Sequence, residues 1–120
     1  LISLIESLHG YGFLVSVDDF GSGYSSLNLI KEIRFDIIKI DQIFFRHNKN
    51  ISRTKSIIQC ILALAKELGM RTVAEGVETE DQFKFLKENE CDTIQGFYFS
   101  KPLEKEIFTQ LLASNDFADI

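Results

Sequence analysis

Acidic, amide and lysine side chains recur in this sequence where short apolar stretches end. Two adjacent carboxylates repel each other, and a divalent cation relieves that repulsion. A lysine within an apolar stretch needs a partner or a wet cavity. A set of carboxylates with a lysine, and without a Ser/His pair, favours metal-assisted hydrolysis of a phosphoester over acyl transfer. In such a reaction the lysine would stabilise the phosphate or hold the attacking water. The candidate residues are Asp18, Asp19, Lys39, Asp41, Glu75, Glu78, Gln95 and Gly96.

Each of these residues, taken alone, also has a purely structural explanation. Asp18 and Asp19 could begin a turn, and the Lys39 ammonium could simply extend to the rim of the fold. Glu78 could be a solvated residue beside a helix cap. A functional site is favoured because the candidates follow all of the predicted strands rather than only one.

The elements that must position these residues alternate between strands and helices. Ser52 is predicted to cap a long helix that Gly69 ends, and Thr79 with Gln82 matches a capping box for the next helix. Pro102 suits the first turn of the last helix. The predicted strands are 13–17, which should be buried on both faces, 35–40, 72–75 and 93–99; the predicted helices are 1–8, 25–33, 52–68, one from 79 and one at Pro102.

A helix followed by four strand–helix pairs with short connections predicts an α/β fold with a parallel sheet and right-handed crossovers. Two architectures remain open, a small doubly wound sheet or part of a (β/α)8 barrel. In both, ligands bind at the carboxyl ends of the strands, where the candidate residues lie.

The net charge and the cysteine content of the chain limit its possible binding partners and its cellular compartment. The net charge of −5 disfavours a nucleic acid polymer, although a metal ion can reverse the sign of a local site for a small phosphate ligand. Cys60 and Cys91 are interpreted as free thiols, which fits a reducing, cytoplasmic location. The opening residues LISLIESLHG lack signal-peptide features and are interpreted as the end of a helix already under way, so the chain is expected to begin inside a larger domain.

Receiver domains of two-component signalling also combine an acidic pair with a lysine. Their lysine comes from the last strand, just before a proline, whereas Lys39 lies in the second predicted strand. The strand that carries their central phospho-acceptor aspartate is also missing. The sequence therefore does not fit that class.

Four segments together resemble the second half of an EAL domain, a family of bacterial cyclic-di-GMP phosphodiesterases with a modified (β/α)8 barrel. The match covers nearly the whole chain in the right order and spacing. The segments are VDDFGSGYSSL (17–27), IIKID (37–41), TVAEGVET (72–79) and IQGFYFSKPL (94–103).

The resemblance implies a role for each matched residue. Asp18 and Asp19 correspond to metal ligands, with Mg²⁺ or Mn²⁺ as the cofactor of the intact domain. Lys39 corresponds to the lysine that contacts the catalytic water or the phosphate. Glu75 corresponds to a general base or water-positioning group. The remaining implied residues are Glu78, Gln95 and Gly96, which line the site, and Phe20, Gly21, Ser22, Gly23 and Tyr24, whose loop organises the metal site; Ser22 replaces the usual threonine but keeps the hydroxyl.

The family's Glu-Ala-Leu tripeptide, an asparagine and another metal-binding glutamate belong to the first half of the barrel, and this sequence does not contain them. The resemblance therefore implies that residues 1–120 are the C-terminal half of the domain and are inactive alone. The intact domain is expected to hydrolyse cyclic-di-GMP to linear pGpG in bacterial second-messenger signalling. The alternative is a degenerate EAL module that binds cyclic-di-GMP or a protein partner without catalysis.

Further partners are expected from the family and from the geometry of half a barrel. A sensory or GGDEF-type domain is expected upstream, and upstream segments could anchor the parent protein to a membrane. Four strands leave two open edges and an inner face without an opposing layer. With Val15, Ile38 and Val73, or their strand neighbours, as the expected inward residues, the chain is predicted to form homo-oligomers. The competing outcome is a monomer whose sheet flattens and whose helices fold over the open face.

Overall fold

The computed structural model describes residues 1–20, 26–46 and 49–114. Its helices and strands follow one another in the order that the sequence predicted, with one additional 3₁₀ helix. The elements are α1 (Ile2–Gly10), β1 (Ser16–Phe20), α2 (Ser26–Glu32), β2 (Ile37–Ile40), the 3₁₀ helix (Gln42–Phe45), α3 (Ile51–Glu67), β3 (Arg71–Ala74), α4 (Glu80–Glu88), β4 (Thr93–Ile94) and α5 (Lys105–Ser114).

The described strands form one parallel sheet in the order β1-β2-β3-β4, as the alternation of strands and helices predicted. Ile38 of β2 is opposite Val17 of β1 and Thr72 of β3, so the first three strands are aligned at their starts. Because all strands run in the same direction, their carboxyl ends meet at one edge of the sheet.

The core lies between one face of this sheet and the helix layer. Buried strand residues contact buried residues of α3, which carries an apolar stripe at helical spacing. The sheet contributes Val17, Phe20, Ile38, Ile40 and Ala74 to this core, α3 contributes Ile58, Ile61, Leu62 and Ala65, and α4 contributes Leu86.

The opposite face of the sheet is only partly covered. Ile37, Lys39 and Val73 alternate with the core residues and are half-buried. Ile38, one of the residues expected on this inner face, is fully buried in the core instead, and its strand neighbours Ile37 and Lys39, the alternative that the sequence left open, lie on the inner face. The molecule measures 44 × 40 × 22 Å, which fits one helix layer on one open sheet.

The first strand begins later than the sequence predicted and includes the acidic pair. Phe13 and Leu14 are exposed, because the chain is still completing the turn after α1: Gly12 has φ +85° and the Phe13 N–H donates to the Leu8 carbonyl. Pairing with β2 starts only at Val15, whose carbonyl accepts from the Asp36 N–H at 2.7 Å. β1 is buried on one face only, and the apolar run at 13–17 therefore predicted the wrong bounds for this strand.

The fourth strand is much shorter than its apolar run suggested. β4 ends at Ile94, and the Tyr98 N–H then donates to the Val77 carbonyl at 3.0 Å as the chain turns. A Cβ on Gly96 would lie 2.1 Å from that carbonyl oxygen, so only glycine fits there. The following aromatic residues pack on each other and on α4, with ring centroids of Phe83 and Tyr98 5.1 Å apart.

The helix starts were predicted with mixed success. The capping box is confirmed, since the Thr79 hydroxyl accepts from the Gln82 N–H at 3.2 Å. Ser52 does not cap α3; the Asn50 side chain does, accepting from the Arg53 N–H at 3.1 Å. Pro102 lies before α5 rather than in its first turn.

Among the residues described, no helix combines the length and the apolar character needed to cross a membrane.

A polar clamp joins α1 to the start of β2. The Asp36 carboxylate accepts from the Val15 N–H at 2.7 Å and pairs with His9 Nε2 at 2.8 Å. The hydrogen bond from the Val15 N–H has the largest effect in lowering the pKa of Asp36. The hydrogen bond with His9 acts in the same direction, and Arg34 adds a smaller effect. The ionised carboxylate is thus favoured by folding.

We expect Asp36→Asn to lower the free energy of unfolding by about 1–3 kcal/mol near neutral pH, the size of hydrogen bonds to a charged group. Because the folded-state pKa is lowered, the wild-type contribution is complete above the unfolded-state value of about 3.9 and disappears as the pH falls through the folded-state value. Denaturant unfolding at neutral and acidic pH should show the difference shrinking with acid. Glu67→Gln, at an exposed carboxylate at the end of α3, is the control. A pH-independent difference would contradict the charged clamp.

Candidate functional site

The carboxyl edge of the sheet brings acidic groups of neighbouring strands to one lysine. Lys39 lies on the central strand β2, with β1 on one side and β3 on the other. Its Nζ is 2.8 Å from Glu75 Oε1 and 3.8 Å from Asp18 Oδ1. The ammonium therefore bridges carboxylates from both neighbouring strands, which explains how a charge is accommodated in an apolar strand.

The acidic pair sits in an irregularity of β1. The pairing register with β2 shifts between Val17 and Phe20, and Asp19 adopts φ +52°, a left-handed conformation that aspartate tolerates better than most residues. The Asp19 N–H donates to Asp18 Oδ1 at 2.8 Å. Bulges of this kind re-aim side chains, and here carboxylate oxygens of Asp18, Asp19 and Glu75 lie within 4.8 Å of one another.

The close spacing of the carboxylates in this cluster shifts the pKa values of its members. The neighbouring Asp18 carboxylate raises the pKa of Asp19, and a hydrogen bond with Asp41 acts in the same direction. The hydrogen bond to Glu75 raises the pKa of the Lys39 ammonium, with smaller effects of Asp18 and Asp19. The Lys39 ammonium thus neutralises part of the negative charge of the clustered carboxylates.

The donor set of this cluster fits a hard divalent cation. Carboxylate oxygens are the ligands that Mg²⁺ and Mn²⁺ prefer, and thiol or imidazole donors, which would favour softer metals, are absent from the described cluster. Asp18 and Asp19 are largely exposed, so an ion could reach them from solvent. Glu75 is half-buried beside them and is held by Lys39.

A cavity of about 320 Å³ adjoins the cluster on the β3–β4 side. The predicted site-lining residues Glu78, Gln95 and Gly96 all border it. Sequence reasoning missed Gln42, Arg46 and Phe97, whose only signal was that they follow the ends of β2 and β4. The lining comprises Gln42, Arg46, Glu75, Gly76, Glu78, Gln95, Gly96 and Phe97.

The 3₁₀ helix after β2 packs closely on the end of β3. Gly76 has φ +73°, and a Cβ there would lie 2.3 Å from Gln42 Cβ. Asp41 caps this helix by accepting from the Ile43 N–H at 2.9 Å. A side chain on residue 76 would push the helix away from β3 and widen the cavity.

The predicted loop of the metal site is described only in part. Gly21, Ser22, Gly23 and Tyr24 lie outside the described residues. Phe20, the first residue of this predicted loop, is the last residue of β1 and is 4% exposed, so its side chain packs in the core. The roles implied for Asp18, Asp19, Lys39 and Glu75 stay predictions, although these four side chains do lie together.

The sequence profile described as the EAL domain matches residues 1–102. The cyclic di-GMP phosphodiesterase NbdA of Pseudomonas aeruginosa is 40% identical over 116 residues, which is 97% of this chain and 15% of that protein. The chain therefore spans a small part of that relative's length.

Solved structures of related domains superpose on most of the chain. The EAL domain of Mycobacterium smegmatis DcpA aligns with a TM-score of 0.82 at 38% identity, covering 94% of this chain and 51% of that one. Klebsiella pneumoniae BlrP1, solved as a manganese and cyclic-di-GMP complex, aligns with a TM-score of 0.74 at 33% identity, covering 83% of this chain and 26% of that one.

Proposed function

Because this chain belongs to the EAL domain family, we propose that it supplies the Asp18, Asp19, Lys39 and Glu75 side of a cyclic-di-GMP phosphodiesterase site. Residues 1–120 then form the C-terminal half of the domain, which agrees with the 51% of the DcpA domain that the chain covers. The observation that carries the proposal is the Lys39 ammonium between Asp18 and Glu75, beside a carboxylate cluster that fits a divalent cation.

The reaction consumes one water. The water oxygen attacks phosphorus, one bond from that phosphorus to a ribose oxygen breaks, and the leaving oxygen takes up a proton, giving linear pGpG. Asp18 and Asp19 would hold Mg²⁺ or Mn²⁺, which supplies a more acidic water and charge stabilisation at the phosphate.

The side chains of this chain perform the remaining tasks. Glu75 can accept the proton of the attacking water, since its carboxylate borders both the aspartate pair and the cavity. Lys39 keeps Glu75 oriented through the 2.8 Å hydrogen bond and places a positive charge beside the phosphate. Glu78 and Gln95 border the cavity in which the nucleotide would lie.

The test is metal-dependent turnover by a complete EAL domain that contains this chain. We expect hydrolysis of cyclic-di-GMP to pGpG with Mg²⁺ or Mn²⁺ and none after chelation of the metal. Binding of cyclic-di-GMP without turnover at saturating metal would instead identify a degenerate binding module. The absence of both binding and turnover would refute the proposal.

The partners of the chain are proposed on the same basis. In the isolated chain, the half-buried face with Ile37 and Val73 leaves apolar surface available to a second copy, so we include homo-oligomer formation by the isolated chain in the proposal. The sensory or GGDEF-type domain upstream, and the cytoplasmic location, stay predictions.

A further inference from the structure

One side chain connects the two loops that border the candidate cavity. Gln82 Oε1 accepts from the N–H groups of Glu78 and Thr79, at 2.9 and 3.1 Å. Its Nε2 donates to the Phe45 carbonyl at 3.3 Å. The first two contacts belong to the helix cap of α4, but the third reaches a residue 37 positions away in sequence.

The third contact ends one residue from the cavity lining. Phe45 is the last residue of the 3₁₀ helix, and Arg46 follows it into the cavity lining. Glu78, on the other side of Gln82, also borders the cavity. Gln82 therefore ties the wall that carries Arg46 to the wall that carries Glu78.

The 3₁₀ helix is thus fixed at both ends. At its start, Gln42 packs on Gly76 so closely that a Cβ would not fit. At its end, the Gln82 amide holds the Phe45 carbonyl. Both attachments join the segment after β2 to the segment that follows β3, and residues of both segments line the cavity.

A capping box needs only an acceptor at this position, and glutamate serves as well as glutamine. Only glutamine also donates a hydrogen bond from the same side chain. The donor to Phe45 is therefore a contact that capping alone does not require.

We propose that Gln82 is a positioning residue, which sets the distance between the Arg46 wall and the Glu75–Glu78 wall for a bound nucleotide. This role deepens the proposed function and rests on it for its effect on substrate. It also makes a purely structural prediction, because the 3₁₀ helix should loosen when the donor is lost.

The experiment compares Gln82→Glu with Gln82→Ala in the complete EAL domain. Glutamate keeps the acceptor for the Glu78 and Thr79 N–H groups but cannot donate to the Phe45 carbonyl, whereas alanine loses all three contacts. Gln59→Glu on α3 is the control for the added charge, since Gln59 is exposed and lies away from this cavity.

We expect both Gln82 variants to raise KM for cyclic-di-GMP about two- to tenfold, the equivalent of one hydrogen bond, with kcat much less affected. Hydrogen exchange should quicken at the Phe44 and Arg46 amides, which donate to Asp41 and Ile43 carbonyls, in both variants. The start of α4 should lose protection only in Gln82→Ala. Gln59→Glu should behave as the wild type.

Wild-type KM and wild-type exchange at residues 42–46 in Gln82→Glu would overturn the proposal and leave Gln82 as a helix cap. A KM effect confined to Gln82→Glu and abolished by salt would also overturn it, because charge alone would then explain the result. If the wild-type domain neither binds nor hydrolyses cyclic-di-GMP, the proposed function fails, and the exchange data still decide whether Gln82 fixes the 3₁₀ helix.

Discussion

Replacing Lys39 with methionine in a complete EAL domain should lower kcat about 10²- to 10³-fold at saturating metal, the effect of removing one preorganised electrostatic contact at a reacting phosphate or carbonyl. The substitution keeps most of the side-chain volume and removes the ammonium. Glu75 then loses the partner that holds it at 2.8 Å, and the phosphate loses a nearby positive charge. Metal affinity should not fall, because the carboxylate cluster becomes more negative.

Two variants show whether the effect belongs to this lysine. Lys66→Met removes another paired lysine, whose partner is Glu90, at an exposed position on α3, and should leave turnover unchanged. Lys39→Arg keeps the charge but not the compact ammonium, so it should recover only part of the activity. Wild-type turnover of Lys39→Met at saturating Mg²⁺ would show that the ion pair with Glu75 is merely structural.

The 120-residue chain alone should show no measurable hydrolysis of cyclic-di-GMP, while a complete domain containing it turns over. The candidate metal-binding group among its described residues has three carboxylates, Asp18, Asp19 and Glu75. The family resemblance assigns the remaining ligands to the first half of the barrel, and the chain covers 51% of the DcpA domain. Metal-dependent hydrolysis by the pure chain that Asp19→Asn abolishes would contradict the half-site explanation, whereas hydrolysis insensitive to Asp19→Asn would indicate a contaminant.

The same sample should self-associate. The half-buried face with Ile37 and Val73 has no opposing layer among the described residues, and burial of apolar surface stabilises by about 25 cal/mol per Å². Sedimentation across a dilution series should show dimers or larger species, and Ile37→Lys should weaken them. A strict monomer at high micromolar concentration would argue that the sheet stays open without a partner.

The sequence predicted best those features that have a local signal. β2, β3, α3 and the Thr79 capping box follow from apolar spacing and cap chemistry. β1 and β4 were misplaced because their apolar runs continue into turns, and the turn at Gly96 depends on its contact with Val77, which no local pattern reveals.

The same distinction applies to the site. That Asp18, Lys39 and Glu75 would meet follows from parallel strands with aligned ends, and the distances bear this out. The irregular pairing that turns Asp19 to φ +52°, and the bond from Gln82 to Phe45, depend on tertiary packing and could not be inferred from spacing.

The proposed function requires that Asp18 and Asp19 hold the divalent cation of a phosphodiesterase site. Calorimetric titration of Mn²⁺ into a complete domain measures this binding in the wild type, in Asp19→Asn and in the control Asp81→Asn, which changes an exposed carboxylate in the first turn of α4. We predict that Asp19→Asn weakens Mn²⁺ binding at least about tenfold, as loss of a ligand or of its support does in other metal sites, while Asp81→Asn binds as the wild type. Equal Mn²⁺ affinity in all three proteins would contradict the proposed role of Asp18 and Asp19 as metal ligands.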